Sequence, residues 1–198
     1  MLPWPPPLPK TVSPSSNKAQ MPAPISSTAK PMPPRIVIMG VSGCGKSTVG
    51  SLLASQLNVP FLDGDDFHPD ANRQKMSEGI PLTDADRHPW LETLAQQLQQ
   101  HSNGCVLACS ALKRSYRDTL RSAGPLHFIL LEGSHQLLLD RLTERSATTD
   151  HFMPSSLLQS QLTTLEDIGS EPDAFALSIQ SPPHSIVQQA LSHLAHHA

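Results

Sequence analysis

The chain has 198 residues, with 14 Lys+Arg against 17 Asp+Glu and a formal net charge of -3. That charge argues against a protein that binds nucleic acid through bulk positive charge, and no apolar run approaches the roughly 18 residues that span a membrane. The three cysteines, an odd number without a paired framework, favour a reducing compartment such as the cytoplasm over secretion.

The first 34 residues differ in composition from the rest. They hold 11 of the 20 prolines and three lysines, but no acidic residue and no glycine. Such a segment cannot bury enough apolar surface to offset its ordering entropy, so we predict a disordered extension at residues 1–34 and a folded domain at residues 35–198. Its role stays open between an inert extension, organellar targeting and partner binding. The extension carries a charge of +3, which leaves -6 on the folded domain.

Short apolar runs alternate with helical patterns through the rest of the chain, and this alternation predicts an α/β fold. We expect a five-stranded parallel sheet with helices on both faces. The predicted strands are Arg35–Met39, Val59–Leu62, Cys105–Cys109, His127–Leu131 and Ala176–Ile179. The predicted helices are Lys46–Leu57, Trp90–Gln100, Lys113–Ser122, Gln136–Glu144, Ser155–Leu165 and Ser185–His196.

A phosphate-binding motif follows the first strand. It fits G-x-x-x-x-G-K-[ST] between a strand and a helix, so we predict a P-loop NTPase fold with an ATP site. Lys46 can span the β- and γ-phosphates and Ser47 can ligate Mg²⁺, whereas Cys44 fills a variable position where a thiol could be somewhat acidic. The predicted ATP-binding residues of the motif are Gly40, Val41, Ser42, Gly43, Cys44, Gly45, Lys46, Ser47 and Thr48. In a single small domain, this motif favours a small-molecule kinase.

Carboxylates follow the second strand. Asp63 and Asp65 are two residues apart, so they lie on one side of an extended backbone at the sheet edge where ligands bind. One carboxylate could hold a Mg²⁺-bound water while the other accepts the proton of a substrate hydroxyl. We assign the metal to Asp63 and the catalytic role to Asp65, together with Lys46.

Residues 61–91 (FLDGDDFHPDANRQKMSEGIPLTDADRHPWL) resemble the signature stretch of the gluconokinase family. The P-loop form MGVSGCGKST is similar to that of the family, and so are two later blocks. Those blocks are Cys109–Lys113 with Tyr116–Asp118, and His151–Pro154 with Gln161, Leu165 and Glu166. The resemblance implies a fold like that of the shikimate and nucleoside-monophosphate kinases. It also implies phosphorylation of D-gluconate at its 6-hydroxyl by ATP with Mg²⁺.

A polyol with a carboxylate needs hydroxyl acceptors and at least one cation. Arg87 is the first candidate for the carboxylate, followed by Lys113 and Arg117. A surface salt bridge of Arg87 with Asp84 or Asp86 is the alternative, and Asp84 could instead cap a short helix through Trp90. The predicted substrate-binding residues are Asp65, His68, Lys75, Arg87, Ser110, Lys113 and Arg117.

A small lid is expected at about residues 143–155. Arg145 is the candidate for stabilising the transferred phosphoryl group, and Arg141 is a structural or adenine-side candidate that we place with the ATP site. The segment Ser146–Asp150 is longer than the corresponding segment of the family pattern, so the lid departs from that pattern.

The sequence therefore predicts a gluconokinase-like enzyme with no nucleic-acid or membrane partner, for which the resemblance makes a homodimer reasonable. Two alternatives remain at this point. One is a related sugar-acid or shikimate-like kinase on the same fold, and the other is a catalytically silent nucleotide-binding module.

Overall fold

The computed structural model describes residues 33–148 and 155–196, without the side chains of 145–148 and 155–156. The predicted extension at residues 1–34 therefore lies outside the described residues except for its last two.

The strands are β1 (Arg35–Met39), β2 (Phe61–Asp63), β3 (Cys105–Ala108), β4 (His127–Glu132) and β5 (Ala174–Ser178). The α-helices are α1 (Lys46–Leu57), α2 (Asp70–Ser77), α3 (Asp84–Gln100), α4 (Arg114–Arg121), α5 (His135–Thr148), α6 (Ser155–Thr164) and α7 (Pro183–His196). None of these helices is long and apolar enough to cross a bilayer.

The five strands form one parallel sheet in the order β2-β3-β1-β4-β5, which confirms the predicted fold class. The strand β1 lies at the centre, and its residues Ile36–Met39 have no exposed surface. Strands covered on both faces have near-continuous apolar sequences, and RIVIM is such a run. The central position of β1 places the loop that follows it between the neighbouring strand ends.

Alternate residues of β1 enter two separate cores, one on each face of the sheet. Ile36 and Ile38 pack with residues of α1, α5, α6 and α7. Val37 and Met39 pack with residues of α3 and α4. This separation follows from the two-residue period of a strand, in which successive side chains point to opposite faces.

The helix α3 begins at Asp84, six residues before the predicted start at Trp90. Thr83 caps this helix, since its side chain accepts a hydrogen bond from the Asp86 N–H while the Asp86 carboxylate accepts one from the Thr83 N–H. This reciprocal capping box satisfies donors of the first turn and allows the helix to run through Pro89. The predicted cap at Asp84 is therefore wrong, because the capping residue is Thr83.

Candidate active site

Three loops meet at the carboxyl edge of the sheet. The P-loop follows β1, a short 3₁₀ helix (Gly64–Phe67) follows β2, and the segment after β3 carries Ser110. The Gly40 N–H donates to the Ser110 carbonyl at 3.2 Å, so the first and third loops are joined directly. This is the edge at which ligands of open parallel sheets usually bind, and it is where the sequence predicted the site.

The P-loop connects β1 to α1 as predicted. Gly43 and Gly45 have φ angles of 81° and 93°, in the left-handed region that favours glycine. Gly45 is the N-cap of α1, and the Lys46 ammonium donates to the Val41 carbonyl at 3.1 Å. This conformation brings the lysine back over the loop, next to the N-terminus of α1, where an anion is stabilised.

Cys44 of the P-loop is only 1% exposed. Burial raises the pKa of its thiol, and this effect outweighs the neighbouring Lys46 charge and the backbone hydrogen bonds. The acidic thiol that its place before a helix suggested is therefore not found.

Asp63 connects the P-loop to the acidic turn. Its Oδ2 accepts a hydrogen bond from the Ser47 hydroxyl at 2.6 Å, and its Oδ1 accepts one from the Asp65 N–H at 3.1 Å. The second bond caps the 3₁₀ helix and fixes the backbone at Asp65, whose side chain is 83% exposed. The two carboxylates therefore differ in surroundings, with Asp63 on the P-loop hydroxyl and Asp65 facing outwards.

His68 is 5% exposed and stacks on Trp90, with ring centroids 4.1 Å apart and an interplanar angle of 16°. The Asn72 amide donates to the Asp86 carbonyl at 2.8 Å and to His68 Nδ1 at 3.4 Å. Because Nδ1 accepts, the ring proton belongs on Nε2, which lies 3.9 Å from Asp65 Oδ1. Burial, together with the Arg87 and Arg73 charges, lowers the pKa of His68 to about 4, so the ring is neutral near pH 7.

The predicted substrate cations fall into two groups. Lys75 pairs with Asp86 at 2.7 Å, and Lys113 pairs with Asp84 at 2.7 Å. Arg87 lies over the Tyr116 ring, with its guanidinium carbon 5.7 Å from the ring centroid, and the Lys113 ammonium lies 5.6 Å from the same centroid. Among the described residues, no carboxylate lies within salt-bridge distance of Arg87.

These pairs also keep the two carboxylates ionised. Hydrogen bonds from Lys113 and Tyr116 lower the pKa of Asp84, and those from Lys75 and Thr83 hold the pKa of Asp86 far below its usual range. The Arg87 charge also lowers the pKa of Asp84, but among the described residues the alternative of a salt bridge from Arg87 to Asp84 or Asp86 is not found.

Arg117 was expected to bind substrate, but its side chain is completely buried. Its guanidinium binds the Glu171 carboxylate and the carbonyls of Ala111 and Leu112. A side chain enclosed by protein acceptors cannot also reach a substrate, so the structure places Arg117 behind the site.

Arg141 of α5 lies next to the P-loop. Its Nη2 donates to the Ile179 carbonyl at 2.8 Å, and its Nη1 would lie 3.9 Å from a Cβ placed on Gly45. Its assignment to the ATP site stays a prediction. Arg145 belongs to the same helix, but its side chain lies outside the described part, as do residues 149–154 of the predicted lid.

Gln161 of α6 is a residue of the site to which the sequence assigned no role. Its Oε1 accepts a hydrogen bond from the Ser42 N–H at 2.6 Å. The resemblance included Gln161 without a function, and no local pattern connects it to a loop 119 residues earlier in the chain.

Comparison with known proteins agrees with this geometry. The model of the family described as "Shikimate kinase" matches residues 42–195. A gluconokinase of Gluconobacter oxydans (strain 621H) is 46% identical over 162 residues, covering 80% of this chain and 89% of the relative. The chain belongs to the gluconokinase family.

Solved structures agree with this membership. The crystal structure of a gluconokinase from Sinorhizobium meliloti 1021 superposes with a TM-score of 0.77 at 50% identity, covering 84% of this chain and 94% of that one. A shikimate kinase from Aquifex aeolicus, at 23% identity and a TM-score of 0.53, shares the fold alone. The chain thus has the fold of shikimate kinase, as the resemblance implied.

Proposed function

We propose that this protein transfers the γ-phosphoryl group of ATP to the 6-hydroxyl of D-gluconate, giving ADP and 6-phosphogluconate. The observation that carries the proposal is the Ser47–Asp63 hydrogen bond of 2.6 Å, because it joins the nucleotide loop to the acidic turn of the family signature. Gluconokinase relatives that align over most of the chain supply the acceptor.

The groups at the sheet edge suit phosphoryl transfer by positioning and electrostatics. Lys46 and the N-terminus of α1 hold the β- and γ-phosphates. The 6-hydroxyl oxygen forms the new bond to phosphorus, its proton passes to the Asp65 carboxylate, and the bond from phosphorus to the ADP oxygen breaks. The exposed Asp65 side chain lies where an acceptor can approach from solvent.

The residues present fit a Mg²⁺ ion. The Ser47 hydroxyl can ligate the ion, and the Asp63 carboxylate, which accepts the hydrogen bond of that hydroxyl at 2.6 Å, can hold a Mg²⁺-bound water. Mg²⁺ usually keeps several waters and takes one or two protein oxygens together with phosphates. When bound, the ion would neutralise charge on the transferred group. Ser47 and Asp63 would hold it, and Lys46 would complete the positive surroundings of the phosphates.

Arg87 is the proposed partner of the gluconate carboxylate. Lys75 and Lys113 each pair with a carboxylate, whereas Arg87 has no such partner among the described residues and keeps its donors available to an anion. Lys113 lies over the same Tyr116 ring as Arg87, so it stays beside the proposed carboxylate site. His68 is nearly buried and neutral, so we assign it to support of the acidic turn more than to direct hydroxyl recognition.

Two further proposals concern context. Cys44, Cys105 and Cys109 are free and buried, which supports a reducing compartment such as the cytoplasm. We also propose that the protein forms a homodimer, on the basis of the family resemblance alone.

A coupled assay of ADP release tests the function. Purified protein with ATP and Mg²⁺ should turn over with gluconate and stay at background with shikimate, glucose or AMP. Lys46→Ala should abolish this turnover without preventing folding. Background activity with gluconate, together with turnover of another acceptor, would overturn the gluconate assignment in favour of a related kinase.

A further inference from the structure

Arg117 makes more contacts than a structural ion pair needs. Its Nη1 donates to the carbonyls of Ala111 and Leu112 at 3.0 and 3.1 Å. Its Nε and Nη2 bind the Glu171 carboxylate, and Nη2 also reaches the Asp167 carbonyl. One guanidinium thus joins the loop after β3 to the segment before β5.

The loop after β3 has a backbone conformation that needs such support. Ala111 has a φ of 42°, in the left-handed region that residues other than glycine adopt rarely. Strained conformations of this kind persist only when the surroundings fix them, and they cluster at functional sites. Both carbonyls that follow the strained φ are bonded to Arg117.

The second support of this loop comes from the same distant segment. The Leu112 carbonyl also accepts from the Glu166 N–H at 2.9 Å, and Glu166 Oε2 accepts from the Arg114 N–H at 2.6 Å. The segment 166–171 therefore holds the loop from both sides.

The loop after β3 connects the P-loop to the proposed acceptor site. It begins with Ser110, whose carbonyl binds the P-loop, and ends with Lys113, whose ammonium binds Asp84 at 2.7 and 2.8 Å. The hydrogen bond from Gly40 holds the Ser110 end on the P-loop, so a rotation at Ala111 would mainly move the Lys113 end. The backbone conformation fixed by Arg117 therefore sets where Lys113 lies relative to Arg87 and the acceptor.

The buried charges are compensated. Burial alone would raise the pKa of Glu171, but hydrogen bonds from Arg117 and Arg121 outweigh it and hold that pKa below its usual range. A buried ion pair is weak support for stability, because desolvation offsets much of the attraction, and its better-attested use is to specify one geometry.

We propose that Arg117 is a positioning residue for the acceptor: it fixes the Ala111–Leu112 turn and through it Lys113. The proposal rests on the proposed function only in naming gluconate as the acceptor.

The test compares Arg117→Lys with Arg121→Lys. Both arginines bind Glu171, but Arg121 otherwise contacts Asp118, Asp173 and the Phe128 ring. Among the described residues it makes no bond to the loop carbonyls. A lysine at 117 keeps the charge and loses the planar set of donors. We expect Arg117→Lys to raise KM for gluconate about tenfold while KM for ATP stays within about twofold. Arg121→Lys should lower Tm and leave both KM values within about twofold.

An unchanged gluconate KM in Arg117→Lys, or equal rises of gluconate KM in both variants, would overturn the proposal. Assays run well below the lowest Tm separate positioning from loss of fold. Should Arg117→Lys not fold, Glu171→Gln serves instead, with an expected rise of about threefold in gluconate KM and refutation by no rise. If wild type turns over a different acceptor, the function has failed, and the same comparison is made with that acceptor.

Discussion

The side-chain oxygen of Gln161 lies 2.6 Å from the backbone nitrogen of Ser42 and accepts its hydrogen bond. Gln161 is in α6, the helix that follows the predicted lid, and Ser42 is in the middle of the P-loop. The nucleotide loop is thus braced by a helix that is distant in the sequence, and its conformation depends on where that helix packs.

Replacing Gln161 with Leu should raise KM for ATP about fivefold, since one hydrogen bond of about 1 kcal/mol no longer holds the loop. KM for gluconate should change little. Steady-state kinetics with each substrate varied in turn measures this. Gln159→Leu, at an exposed position of the same helix, is the matched control. Equal effects of the two substitutions would show that the brace has no role.

Replacing Asp65 with Asn should lower kcat about 100-fold or more while KM for ATP changes little, because the variant cannot accept the hydroxyl proton. Asp66→Asn, at the neighbouring exposed carboxylate, should stay near wild type. Equal losses in kcat and in ATP binding would mean that Asp65 mainly organises the metal.

Replacing Ser47 with Ala should raise the Mg²⁺ concentration that gives half-maximal activity about tenfold, since one oxygen ligand and the partner of Asp63 are lost. Ser51→Ala is the control, because Ser51 lies one turn later on α1 and its hydroxyl only binds the Thr48 carbonyl. Titration of activity with MgCl₂ at fixed ATP provides the measurement. An unchanged titration for Ser47→Ala would remove Ser47 from the proposed site.

Replacing Arg87 with Ala should raise KM for gluconate about 30-fold, which corresponds to about 2 kcal/mol for a charged hydrogen bond. KM for ATP should be unaffected. Arg114→Ala, at an exposed arginine in the first turn of α4, gives the reference. A normal gluconate KM in Arg87→Ala would assign the carboxylate to another cation.

Stability should fall on acidification because of His68. Its pKa is about 4 in the folded protein against an ordinary 6.5, so unfolding takes up a proton between these values. Stability from this group is present above pH 6.5 and is lost as pH falls towards 4. The loss amounts to about 2 kcal/mol between about pH 7 and about pH 5.

His68→Phe keeps a flat ring on Trp90 and cannot take a proton. Urea unfolding at the two pH values should show a smaller loss for His68→Phe than for wild type, whereas His88→Gln, at an exposed histidine, should behave as wild type. The lowered pKa values of Asp84 and Asp86 also contribute to acid sensitivity, but equally in all three proteins. Identical pH dependence in wild type and His68→Phe would contradict the neutral buried ring.

Local patterns were sufficient to predict the parallel sheet, the P-loop and the carboxylates after β2, because each depends on a few adjacent residues. They were insufficient at α3, where the predicted helix started at Trp90 but the capping box at Thr83 moves the start to Asp84. They were also insufficient for Arg117, because its partner Glu171 is 54 residues away and only the packed fold brings it close. Arg145 and the lid stay predictions.

The two cores on opposite faces of β1 have a consequence for how such an enzyme can change. Helices that carry the proposed nucleotide groups pack on one face, and those that carry the proposed acceptor groups pack on the other. Substitutions that reshape α3 or α4 can therefore alter which molecule receives the phosphoryl group without repacking the helices behind ATP. Natural divergence and laboratory selection for new acceptors would then change the helices on one face of the sheet, while the helices on the other face stay the same.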